Sequence, residues 1–169
     1  MEDKKIILQR KQPTPFTVYY PYGMNGITQE ITWMGTQGKI INERPVSMDI
    51  FLWLKEKTRT FQLGALVIKE TEDEDILYEK ENIINIEEAE KSALTKEEIL
   101  ALLEKGNHNA LKTNLKTLTE GKSEELVKEI RRQVVLVATE IGIDSSSKRK
   151  VLSGQELALK IQILYLIKI

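Results

Sequence analysis

The stretch Ser47–Leu54, SMDIFLWL, carries apolar side chains all the way round a helix. Pro45 followed by Ser47 as N-cap favours a helix from Met48 to about Lys57. Met48, Phe51 and Leu52 form one apolar stripe, and Ile50, Trp53 and Leu54 form another. A helix with no solvent face must be covered on two sides. The chain therefore has to place a sheet against one side of this segment and further structure against the other. The following residues, RTFQLGALVI, suit that demand. Gly64 permits a chain reversal closed to other residues, Phe61 plugs the gap beside it, and Ala65–Ile68 supplies a strand under the helix.

The residues ahead of the helix read as the sheet. Lys4–Arg10, Phe16–Tyr20 and Ile27–Trp33 are rich in Ile, Val, Thr and aromatics, and Pro13, Pro15, Pro21, Gly23 and Gly26 punctuate them. In GITQEITWMGTQGKIIN, Ile27, Gln29, Ile31 and Trp33 share one face. Gly35 and Gly38 supply the turn of a hairpin whose second arm is Lys39–Asn42. From Glu70 the composition shifts to acids: Glu70, Glu72, Asp73, Glu74 and Asp75, then Glu87, Glu88 and Glu90. This reads as a solvated linker with a short strand at Ile76–Tyr78.

Helical signals follow. Thr95 and Glu98 form a capping box, and Gly106 closes the helix they open. A second helix after Asn107 bears Leu111, Leu115 and Leu118 on one face. A third runs from Ser123 through Leu126, Val127, Ile130, Val134, Val137 and Ile141 to Gly142, and a last turn follows Asp144. The expected class is α+β: a small β-rich domain with one short buried helix over residues 1–69, an acidic linker over 70–93, a small helical bundle over 94–154, and a strand or helix over 155–169. In that last segment Leu157, Leu159, Ile161, Ile163, Tyr165, Ile167 and Ile169 alternate with other residues, as in a strand, while Ser153 and Glu156 match a capping box. A terminal strand of this kind needs a partner for its edge, which makes Tyr165, Ile167 and Ile169 candidate assembly contacts.

Catalytic chemistry finds no foothold in these residues. Cysteine is absent, which excludes disulfides, thiolate catalysis and cysteine-based metal sites. The lone His108 has no G-x-S-x-G nucleophile to serve, and GMNG and GTQG are isolated turn glycines rather than a phosphate loop. The TEDED acids lack the Gly and Glu spacing of a calcium loop. We expect no enzyme, no cofactor and no metal. The opening MEDKKIILQRK has too few consecutive apolar residues for a signal peptide, so the chain is expected to start at Met1. LALKIQILYLIKI, interrupted by Lys160, Gln162 and Lys168, is too short for a membrane span. The net charge of −1 gives no global attraction to nucleic acid or anionic lipid.

One local feature points the other way. Residues 96–105, the Gly106–Asn107 turn and residues 108–118 have the proportions of a helix-turn-helix, and the outer face of the second helix would show His108, Asn109, Lys112, Thr113 and Lys116. That is the alternative reading, a DNA-binding regulator. No arginine lies on this helix. Lys148, Arg149 and Lys150 add a small basic cluster.

The stretch ITWMGTQGKIINERPVSMDIFLWLKEKTRTFQLGALVI joins a Trp-bearing strand, a glycine turn, a short apolar helix and an aromatic-plus-glycine segment before a final strand. It resembles small virion proteins of tailed bacteriophages. LEKGNHNALKTNLKTLTEGKSEELVKEI and IDSSSKRKVL resemble the helical domain appended to some of them, so that the likeness covers residues 27–69 and 95–152. The resemblance implies a structural protein of the virion, made in the host cytoplasm, such as a head-decoration, connector- or tail-associated component. Its partners would be other virion proteins or copies of itself rather than membrane or, in the first place, nucleic acid. No catalytic residue belongs to the pattern.

Overall fold

A computed structural model describes residues 4–23, 26–104 and 108–142. The fold is α+β, with β-strands first and helices after, and the chain divides between Thr95 and Lys96 into two compact units.

In the first unit, β1 (Lys5–Arg10) lies between β4 (Asn42–Ser47) and the two-residue β5 (Val67–Ile68), all antiparallel. β2 (Phe16–Tyr22) and β3 (Ile27–Trp33) form a separate hairpin, with Gly23 and Gly26 at positive φ at either end of its connection. Helix α1 (Met48–Lys57) follows β4 directly. The Ser47 side chain accepts a hydrogen bond from the Ile50 amide, as its N-cap role requires. Ile50, Phe51 and Leu54 are buried and Met48, Leu52 and Trp53 partly so, which agrees with the two apolar stripes.

The expected pairing of Ile27–Trp33 with Lys39–Asn42 is corrected. β3 pairs with β2 instead, and Gln37 and Ile40 form only an isolated bridge. The strand after the turn runs through Pro45 and pairs with β1, Pro45 standing opposite Ile7. β4 is an edge strand, where a residue with no N–H costs no ladder bond if that position faces outward. Gly38 has the positive φ of a turn, but Gly35 serves close approach: a Cβ there would stand 2.0 Å from the Pro13 carbonyl oxygen.

The acidic stretch is also structured. Glu74–Glu81 is helix α2, in place of the expected strand at Ile76–Tyr78, and Ile86–Ser92 is helix α3. Asp73 caps α2, its carboxylate accepting from the Asp75 and Ile76 amides. Ile76, Ile83 and Ile86 join the same core as Ile6, Leu8, Phe51, Phe61 and Leu66. Most of the acids face outward while Ile76, Ile83 and Ile86 face in, so short helices hide behind a composition that suggests solvent. Gly64, at φ +60°, lets α3 approach: a Cβ there would lie 2.6 Å from the Ala89 carbonyl oxygen. Glu90 of α3 accepts from the Ile68 amide at 3.2 Å and pairs with Lys80 at 2.7 Å, closing the exposed edge of β5.

The second unit contains α4 (Lys96–Glu104), α5 (His108–Thr119) and α6 (Glu124–Ile141), packed pairwise. Ile99 and Leu103, Leu111 and Leu115, and Leu126, Ile130, Val134 and Val137 are buried. Ser123 caps α6 through the Leu126 amide, and Gly142, at φ +61°, follows its last residue. An ion pair between Lys96 and Glu140 joins the start of α4 to the end of α6. Among the described residues no helix is long and apolar enough to cross a membrane.

Candidate interaction surface

The β2–β3 hairpin has one apolar face, and its register sets where that face ends. Phe16 stands opposite Trp33, Val18 opposite Ile31, Tyr20 opposite Gln29 and Tyr22 opposite Ile27. Trp33, Ile31 and Val18 are buried. Tyr20 meets the Trp53 ring of α1 edge to face, with centroids 5.5 Å apart. One pair further on, Tyr22 and Ile27 are 65% and 62% exposed. The apolar ladder therefore outruns the helix that covers it. On the opposite face Thr17 and Thr32 share a hydroxyl hydrogen bond of 2.8 Å, and Tyr19 is exposed opposite Glu30.

The root of this hairpin is held by an unusual inward charge. Alternation along β1 puts Ile6, Leu8 and Arg10 on the buried side. Arg10, 1% exposed, donates to the Thr14 carbonyl and hydroxyl and, at 2.6 Å, to the Ala65 carbonyl. Its guanidinium lies 5.4 Å from the centroid of the Phe16 ring, which in turn lies 6.4 Å from that of Trp33. The Gln12 side-chain amide donates to the Gly64 carbonyl, and the Gln12 backbone carbonyl accepts from the Thr36 amide. Both ends of the hairpin are thus tied to β1 and to the turn around Gly64. The exposed tip is presented from a fixed base.

Ionic contacts complete the surface around β1. Lys4 reaches both Asp73 and Asp75 at 2.6 Å, which raises the Lys4 pKa and lowers that of Asp73. Lys69, followed by Gln9, holds Glu43 below the usual carboxylate range. For Asp73 and Glu43 the shift is downward, opposite to what a general acid at neutral pH needs. No group of ligating side chains suited to a metal occurs among the described residues.

The residues singled out from sequence fall in other places. Tyr165, Ile167 and Ile169 lie outside the described residues, as do Lys148–Lys150. His108 opens α5, and Asn109, Lys112, Thr113 and Lys116 follow on its exposed side while Leu111 and Leu115 are buried. The hairpin tip was not anticipated. Its signal was present as Tyr20 and Tyr22 at alternate positions opposite Gln29 and Ile27, but only the correct pairing partner of Ile27–Trp33 makes it readable.

Residues 4–85 match the family model of the YonA N-terminal domain. YonA is a phage-encoded protein, so the match relates the hairpin, the sheet, α1 and α2 to a phage domain. It ends just before α3 and includes none of the second unit. No curated protein and no solved structure matches the chain.

Proposed function

We propose that this is a non-enzymatic phage protein that works by assembly, as a structural component of the virion that associates with copies of itself or with other virion proteins. The observation that carries the reading is the exposed Tyr22–Ile27 pair, the uncovered end of an apolar face whose root is locked into the core. An isolated two-stranded ribbon gains little stability from such a pair in water, whereas a protein partner would bury it. The similarity of residues 4–85 to a phage domain supports the setting.

Light scattering or mass photometry of the purified chain tests the reading. We expect a defined oligomer, and we expect Tyr22→Ser together with Ile27→Ser to dissociate it into a folded monomer with unchanged helicity by circular dichroism, whose unfolding no longer depends on protein concentration. A chain that stays monomeric at every attainable concentration, or an oligomer indifferent to the tip substitutions, would overturn the role given to the hairpin. A turnover abolished by one Asp or Glu substitution would overturn the non-enzymatic assignment.

A further inference from the structure

Helix α5 differs in charge from its neighbours. HNALKTNLKTLT contains no carboxylate, alone among the six described helices. Its exposed side presents Asn109, Lys112, Thr113 and Lys116, and the buried Leu111 and Leu115 fix that side outward. In the same unit Lys96 is paired with Glu140, Lys128 with Glu124 and Arg132 with Glu129. Lys112 and Lys116 have no carboxylate within ion-pair distance among the described residues. Two like charges four residues apart on a helix repel each other. An anionic partner would relieve that repulsion.

We infer that the outer face of α5 contacts the phosphate backbone of duplex DNA, independently of base sequence. Charge complementarity selects a polyanion, and the residue types narrow it. Between Lys96 and Gly142 there is no Phe, Tyr or Trp on which unstacked bases could lie, so a single strand gains nothing beyond charge. Without an arginine, α5 also lacks the side chain most used to read guanine edges. Lysines in this setting neutralise phosphates and position the duplex without specifying sequence. The contact goes beyond the assembly reading and uses a different unit of the chain.

Fluorescence anisotropy with the full chain and a labelled duplex tests it. Two phosphate contacts predict a roughly tenfold loss of affinity between about 50 and about 200 mM salt. Lys112→Gln combined with Lys116→Gln, checked for unchanged helicity by circular dichroism, should reduce the slope of log K against log salt by about 1.8. Duplexes of unrelated sequence should compete equally, and in the Tyr22→Ser, Ile27→Ser background the remaining DNA binding should still depend on Lys112 and Lys116. Absence of binding at about 50 mM salt, an unchanged slope in the double lysine variant, a preference for single strands, or binding to an acidic polypeptide in place of DNA would each overturn the inference.

Discussion

Phe61 and Gly64 show how much of the first unit rests on single residues. Phe61 is 2% exposed, and its ring centroid lies 5.4 Å from that of Phe51, so Phe61→Ala removes an aromatic from a closed core. We expect a loss of about 3–5 kcal/mol in denaturant unfolding; a change under ~1 kcal/mol would mean that the ring is not buried. At Gly64 two constraints add. An alanine would adopt a left-handed conformation at a cost of about 1–2 kcal/mol and would also push on the Ala89 carbonyl of α3. Gly64→Ala should therefore destabilise the protein by more than the conformational term, readable as a lowered urea midpoint. At Asp73 the sign of a pH effect is fixed by Lys4. Because the pKa of Asp73 is depressed from its ordinary 3.8, its contribution is complete above that value and is lost as pH falls through the depressed one. For Lys4, raised from 10.5, the contribution is complete below that value and is lost as pH rises through the raised one. Melting curves of wild type and Asp73→Asn, which keeps a capping side chain, should differ at neutral pH and converge in acid. Curves that stay parallel would show that the ion pair adds nothing.

Among the elements, the starts of α1 and α6 were legible from sequence, whereas the Asp73 cap of α2 and the strand partners were not. Ser47 and Ser123 each stand before an apolar-periodic run and each accepts a bond from the amide three residues on. Ser123→Ala should cost about 1 kcal/mol, and a loss below ~0.3 kcal/mol in the unfolding free energy would show that this cap is replaceable. Partner choice for β3 depended on which strand lay nearest in space. The Gly35–Gly38 stretch offered a local hairpin, but β1 took up the following strand as its own edge and left β3 to β2. The core gained by this arrangement includes Val46, opposite Ile6, and Trp33, opposite Phe16. A tight turn at residues 37–40 survives as the isolated bridge, too short to compete.

For the whole molecule, the division between Thr95 and Lys96 makes a direct prediction about fragments. Residues 1–95 contain every buried apolar residue of the first core, including Ile76, Ile83 and Ile86. That fragment should unfold cooperatively on its own. One ending at residue 69 would leave Gly64, Leu66 and the β5 edge without α2 and α3 and should be poorly folded. Equal cooperativity of the two fragments in thermal unfolding would restore the acidic stretch to a linker. The sequence by itself determined the first three strands, the buried helix after Ser47 and the three helices between residues 96 and 142, because periodicity, caps and turn residues act over a few positions. Only the tertiary structure decided that an acid-rich stretch completes the first core, that Arg10 points inward onto backbone carbonyls, and that the hairpin face ends in an uncovered Tyr22–Ile27 pair. Each of those depends on what lies opposite a side chain far away in sequence, and burial is a property of that neighbour as much as of the residue itself.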